Sequence, residues 1–232
     1  MKVFYKDKYT SELLYDPSSI SFRYGAGVFE TLLYDGKEIQ HLDKHLDRLN
    51  ASTRFFGYET YSFNYREVIF KLISENLLTD LPAKVNICHV MEKFDEYYIF
   101  ISAVAYNAPL QSKVLRLCTY PNHHDTYMSR HKTMNYMHFL MAKKYAEKNG
   151  CDDALLLDSN KNVLETSTSA IVLFDGEDYF VPENENILPS IARDVFSQKH
   201  RIRRKNIKLY SLKDYEIFVM NSLMGVRKAE II

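Results

Sequence analysis

Lys132 stands in His131-Lys132-Thr133-Met134-Asn135-Tyr136, just ahead of an amphipathic run from Met137 to Asn149. An amine there is a nucleophile or base only if part of it is neutral near pH 7, which burial beside polar groups can arrange. Alone it reads as a surface lysine at a helix start, although a cation is mildly disfavoured at that end of the helix dipole. Its company matters more. Val163-Leu164-Glu165-Thr166-Ser167-Thr168-Ser169 puts an acid at the head of a hydroxyl-rich turn. Ile187-Leu188-Pro189-Ser190-Ile191-Ala192-Arg193 is a loop entering a helix, whose first N–H groups and positive dipole end suit a phosphate. Asn221-Ser222-Leu223-Met224-Gly225-Val226 adds donors at Asn221 and Ser222, and Arg48 could supply a charged fork. A carboxylate beside a pyridine ring keeps its nitrogen protonated and turns the ring into an electron sink. Taken singly, Glu165 reads as a solvated strand end and Ser190-Ile191-Ala192 as a helix cap. Taken in order, lysine, acid, helix N-terminus and hydroxyl turn suggest a site for an aldehyde cofactor carrying phosphate.

Other constellations carry less. His41 and His45 lie four apart and could both face a metal, but no third ligand has matching spacing. His123-His124-Asp125 with His131 is a second candidate for metal, weakened because adjacent histidines usually point apart. No metal site is expected. The sequence holds no G-x-S-x-G elbow, no G-x-x-x-x-G-K and no G-x-G-x-x-G.

These residues need a scaffold, and 232 residues at 46% hydrophobic and 14% aromatic can bury one large core or two modest ones. Thirty basic and thirty acidic side chains cancel, so nothing favours nucleic acid or an anionic membrane. The basic run Arg201-Ile202-Arg203-Arg204-Lys205 reads as a solvated helix end. Cys88, Cys118 and Cys151 are unpaired in pattern, pointing to reduced thiols. Met1 to Asp7 has no apolar signal segment and no run is long enough to span a bilayer, so a soluble, cytoplasmic protein is expected.

The pattern predicts strands at Val3–Tyr5, Val28–Tyr34, Glu38–His41, Val85–Met91, Tyr97–Ala105, Val114–Thr119, Asp153–Leu157, Ala170–Phe174, Tyr179–Val181, Ile207–Tyr210 and Ile217–Asn221. It predicts helices from Asp43, over Tyr65–Leu78, over Met137–Asn149 and over Ile191–Gln198, with Tyr9–Ser21 a loop. Asn107-Ala108-Pro109-Leu110-Gln111-Ser112 is the best boundary. The expected organisation is a smaller N-terminal domain over 1–106, a linker over 107–112 and a larger cofactor-binding domain over 113–232. Short strands with a few segregated helices make the class α+β.

Together the segments resemble the class IV aminotransferases, the fold-type IV pyridoxal-phosphate enzymes, over nearly the whole chain and in the family's order. Arg23-Tyr24-Gly25-Ala26-Gly27-Val28-Phe29-Glu30-Thr31 is similar to the opening motif, and His45-Leu46-Asp47-Arg48-Leu49 to the helix with the phosphate-binding arginine. Lys132-Thr133-Met134-Asn135 is similar to the cofactor-linked lysine and its following asparagine. Asp152-Asp153-Ala154-Leu155-Leu156-Leu157-Asp158 leads to Glu165, similar to the partner of the pyridine nitrogen. The resemblance implies a two-domain α/β fold of the D-amino-acid aminotransferase type, a homodimer, and pyridoxal 5'-phosphate. It implies Lys132 as catalytic residue, and Arg48, Ile191, Ala192 and Ser222 on the phosphate. Tyr136 falls near the ring hydroxyl, and Phe29, Thr31 and Leu223 on the side of an amino-acid-like substrate. Departures stand at Ala26 for Asp, Thr166 for Gly, Ala170 for Asn, Ala192 for Thr and Lys228 for Pro.

Within such a family the implied reaction is transamination of branched-chain or D-amino acids, or a lyase step. In that step 4-amino-4-deoxychorismate loses pyruvate to leave 4-aminobenzoate for folate synthesis. Asn221-Ser222-Leu223-Met224-Gly225-Val226 and the lysine-to-asparagine spacing resemble the lyase branch more than the branched-chain one. A non-catalytic relative is the third expectation, motivated by the altered phosphate contacts.

Overall fold

A computed structural model describes residues 1–58 and 63–232. Contacts group the chain into two compact units, Met1–Ala108 with His131–Asn135, and Pro109–Arg130 with Tyr136–Ile232.

The first unit contains β1 (Val3–Tyr5), β2 (Lys8–Thr10), α1 (Ile20–Tyr24), β3 (Gly27–Tyr34), α2 (Leu42–Phe55), α3 (Tyr65–Glu75), β4 (Ala83–Lys93) and β5 (Glu96–Ala105). Its antiparallel sheet runs β2-β1-β5-β4-β3. Alternation sorts β3: Val28, Glu30, Leu32 and Tyr34 are buried, while Phe29, Thr31 and Leu33 are half-buried on the opposite face. Helix α3 buries Tyr65, Val68, Ile69, Leu72 and Ile73, a 3–4 repeat that matches the expected face. Asn64 caps it, accepting from the Glu67 amide at 3.2 Å. Helix α2 buries Leu42, His45 and Leu49 in the same repeat and packs on β3. Two short elements replace the expected loop over Tyr9–Ser21. Lys8–Thr10 pairs with β1, and Ser19 caps the five-residue α1. Neither is long enough to show a period in the sequence.

The second unit contains β6 (Leu115–Thr119), α4 (Met137–Lys148), β7 (Asp153–Leu157), β8 (Val163–Thr166), β9 (Ala170–Phe174), β10 (Tyr179–Pro182), α5 (Ile191–Ser197), β11 (Ile202–Lys205), β12 (Glu216–Asn221) and β13 (Gly225–Ile231). Its mixed sheet runs β11-β10-β9-β12-β13-β6-β7-β8, parallel where β10 meets β11 and where β6 lies between β13 and β7. All five residues of β7 are buried: Leu155 and Leu157 join one core cluster, Ala154 and Leu156 another. Over the latter sits α4, whose Ala142 and Ala146 let the helix lie close to the strand.

The basic run corrects the sequence reading. Ile202–Lys205 is an edge strand, not a helix end; its charged side chains blunt that edge, Arg203 pairing with Asp178 at 3.0 Å. Leu209–Asp214 is a 3-10 helix where a strand was expected from Ile207 to Tyr210. Only an isolated bridge, Tyr34 to Ile39, stands where Glu38–His41 was expected to be a strand. Strands β8 and β13 were not anticipated. β13 interleaves Val226, Lys228 and Glu230, all exposed, with buried Arg227 and Ala229, an alternation hidden by its charges.

Candidate active site

In the first unit the loop carrying Lys132 is fastened to β3. The Phe29 amide donates to the Lys132 carbonyl at 2.8 Å, Met134 donates to the Gly27 carbonyl at 2.9 Å, and Val28 bridges Thr133. Gly27 permits this approach: at its φ of 149° a Cβ would lie 2.6 Å from both the His89 carbonyl oxygen and the Met134 sulfur. One residue ahead, His131 stacks on Phe55 with ring centroids 4.3 Å apart, and its Nδ1 lies 3.1 Å from Ser52 Oγ. Helix α2 thus holds the loop from its other side.

The fastening brings the half-buried Lys132 Nζ to 4.3 Å from the centroid of the Phe29 ring. Opposite Phe29 in the ladder is Cys88, and opposite Thr31 is Asn86, so the four share one sheet face. Burial pushes the Cys88 thiol up to about 12 against the opposing pull of Lys132, so no thiolate pairs with the amine at neutral pH. Asn86 Oδ1 is buried without a hydrogen-bond partner among the described residues. The sequence reading missed Asn86, whose only signal was its place in the β4 alternation.

Arg48 lies on the core side of the same strand. Its Nε donates to Glu30 Oε1 at 2.7 Å and its Nη2 to Glu30 Oε2 at 2.6 Å, while His45 Nδ1 meets Oε2 at 2.7 Å. Neighbours on one helix turn face one inward residue of β3, so the trio follows from the two periodicities. Burial raises the Glu30 carboxyl, but the hydrogen bonds from Arg48 and His45 outweigh it and hold the group below the usual carboxylate range. The fork expected for a ligand is thus gripped by Glu30, a residue the sequence placed only within a motif.

In the second unit Glu165 sits mid-strand, opposite Leu156 in the β7–β8 ladder and so on the α4 side. It is buried, and its Oε1 has no hydrogen-bond partner among the described residues. The Nε2 of His124, in the same condition, lies 3.4 Å away. Tyr136 opens α4, stacks on Phe139 at 4.6 Å and donates its hydroxyl to the Ser167 carbonyl at 3.2 Å. Thr166 falls on the other face, where buried Asp153 accepts from Thr166 Oγ1 at 2.7 Å, Thr168 Oγ1 at 2.6 Å, Ser167 Oγ and the Ala154 amide at 2.8 Å. Asp153 therefore shapes the hydroxyl turn behind Glu165, and the threonine that departs from the family pattern is one of its donors.

Ser190 caps α5 through the Arg193 amide at 3.2 Å, and its carbonyl takes the Asp194 amide. By helix geometry the amides of Ile191 and Ala192 have no acceptor within α5. Ser222 and Leu223 lie in the turn joining β12 to β13. Asn221 organises that turn: its Oδ1 takes the amides of Leu223 and Met224, both at 3.0 Å, while its Nδ2 reaches Ser169 Oγ at 3.1 Å and the Thr168 carbonyl at 3.3 Å. The structure thus gathers Lys132, Phe29 and Thr31 in one unit, with Arg48 across their strand. In the other unit Tyr136 and the turn that follows Glu165 are tied by a hydrogen bond. Among the described residues no group of three or more His, Cys, Asp or Glu is arranged to hold a metal ion, and no helix is long and apolar enough to cross a membrane.

A family model described as amino-transferase class IV matches residues 27–232. No curated protein matches the sequence. Among solved structures, one from Legionella pneumophila described as "Putative 4-amino-4-deoxychorismate lyase" is 22% identical, covering 97% of this chain and 89% of its own, with a TM-score of 0.84. A branched-chain aminotransferase from Thermoproteus uzoniensis with norvaline is 21% identical over 100% of this chain and 87% of its own, at 0.86. The T.th. branched-chain amino acid aminotransferase, complexed with N-(5'-phosphopyridoxyl)-L-glutamate, is 20% identical over 100% and 85%, at 0.89. At such identities the likeness establishes the fold.

Proposed function

The chain belongs to the class IV aminotransferases, and from that premise we propose that it is a pyridoxal-phosphate-dependent 4-amino-4-deoxychorismate lyase. It would release pyruvate and leave 4-aminobenzoate for folate synthesis. Glu165 fits the cofactor: a carboxylate accepts several hydrogen bonds, and this buried one, with no bond to its Oε1 among the described residues, has lone pairs left for a protonated pyridine nitrogen. When bound, that ring supplies an electron sink. Glu165 would keep the proton on the ring nitrogen, and Tyr136 would face the ring hydroxyl. Ile191, Ala192, Ser222 and Arg48 are our candidates for the phosphate, the helix amides supplying N–H donors and Arg48 a positive charge, its Nε and Nη2 already bound to Glu30. Lys132 Nζ would carry the cofactor and, once displaced by the substrate amine, take the proton from the amine-bearing carbon. Phe29, Thr31 and Leu223 would line the substrate side.

The observation that carries the lyase over a transaminase is the turn after β12. Its Leu223 and Met224 amides are already engaged by Asn221 Oδ1, and Leu223 is bulky where transaminases of the family leave room for a substrate carboxylate. We take the protein to act as a cytoplasmic homodimer on a small amino-acid-like substrate.

The test begins with the visible spectrum of purified protein supplied with pyridoxal phosphate, beside Lys132→Ala. A yellow band lost in the variant supports the cofactor and its lysine; a colourless wild type that borohydride cannot trap removes both. Aminodeoxychorismate is then added. Pyruvate and 4-aminobenzoate support the lyase, whereas amino transfer to an oxo acid without elimination replaces it with a transaminase.

A further inference from the structure

We propose that His124 is a positioning residue for Glu165, presenting Nε2–H to Oε1 and holding the carboxylate aimed at the ring it serves. This rests on the reading that Glu165 faces the cofactor's ring nitrogen. Both side chains are buried, both facing atoms lack any other partner among the described residues, and they stand 3.4 Å apart. That is a few tenths of an ångström longer than an ordinary N–H···O bond.

The imidazole is built in rather than loosely placed. Its backbone amide donates to the Leu157 carbonyl at 2.8 Å, tying the loop after β6 to the end of β7, one position from the rung that carries Glu165. His138 from α4 stacks on it at 4.9 Å and 22°, and Phe139 closes edge-on at 4.8 Å. Tyr120 meets His138 at 5.5 Å. Among the described residues, few other charges face the pair. Arg193 of α5 interacts electrostatically with Glu165, and burial, with His124 adding to it, holds His138 below its ordinary value, so His138 is neutral at pH 7. The exposed neighbour His123 provides an internal control.

The test uses the full chain, 15N-labelled, with and without pyridoxal phosphate. Imidazole 1H–15N spectra should show His124 protonated on Nε2. Glu165→Gln should shift its ring resonances and leave those of His123 in place. In the loaded protein, His124→Phe keeps the stacking but removes the donor. Cofactor affinity should then fall about tenfold or more, the loss expected of a charge-assisted hydrogen bond. The visible band's pH midpoint should also move, and His124→Gln, which restores a donor, should recover part of both. Unchanged His124 resonances in Glu165→Gln overturn the pairing, and a His124→Phe band and affinity identical to wild type overturn the role. If His124→Phe does not fold, the Glu165→Gln spectra decide the pairing and His124→Gln the role. A wild type without any visible band removes the cofactor reading and this role with it, while the ring resonances still report whether the two side chains are paired.

Discussion

Glu30 and Glu165 are both buried glutamates on strands, 1% and 6% exposed, yet they are opposites. Glu30 has both oxygens filled by Arg48 and His45. Glu165 keeps one oxygen with no hydrogen-bond partner among the described residues, facing a histidine nitrogen in the same condition. A buried charge that is fully paired serves the fold, since removing one member strands the others. A buried charge left partly unpaired lowers stability and persists where a ligand is to complete it. Burial alone does not separate the two; the count of hydrogen bonds does.

The sharpest break of that comparison is Glu30→Ala. It removes the buried carboxylate that Arg48 and His45 share, and we expect a loss of about 3–5 kcal/mol in urea unfolding. The same trio dictates an acid limit. The folded Glu30 carboxyl lies below its usual range, so its contribution is present above the unfolded value and lost as pH falls through the folded one. His45 acts in the same direction: burial, opposed by Glu30, keeps the folded ring from a proton that the unfolded chain accepts. Melting temperature should therefore drop steeply below the ordinary carboxylate range, and Glu30→Gln should flatten that profile. A Glu30→Gln profile as steep as wild type would assign acid lability elsewhere.

Next in size is Asp153→Ala, which strands hydroxyl donors of Thr166, Ser167 and Thr168. A loss of about 2–4 kcal/mol by chemical unfolding is expected. Cofactor retention should weaken as the turn behind Glu165 loosens. The smallest stability effect belongs to Glu165→Gln, which removes a charge that little in the protein satisfies. Unfolding free energy should stay within about 1 kcal/mol of wild type while pyridoxal phosphate dissociates far more readily. A Glu165→Gln protein as damaged as Glu30→Ala would erase the distinction between them.

Much of this was legible beforehand. The helix over 65–75, the strand over 153–157 and the order of lysine, acid and helix N-terminus follow from local periodicity and residue type. Strand β13 and the edge strand at 202–205 were not legible, because charged side chains hide a pairing that only their neighbours impose. The surroundings of Asn86, His124 and Asp153 were equally silent: each gains its meaning from atoms far away in sequence.

The sequence by itself determined which groups are present and their order along the chain, since propensity, spacing and motif are local properties. Only the tertiary structure decided which of them are satisfied. That Arg48 is gripped by Glu30 and that an otherwise unpartnered oxygen of Glu165 faces His124 among the described residues depends on strand register and helix seating. The free energy of a buried charge is set by the partners that those long-range contacts bring within hydrogen-bond reach.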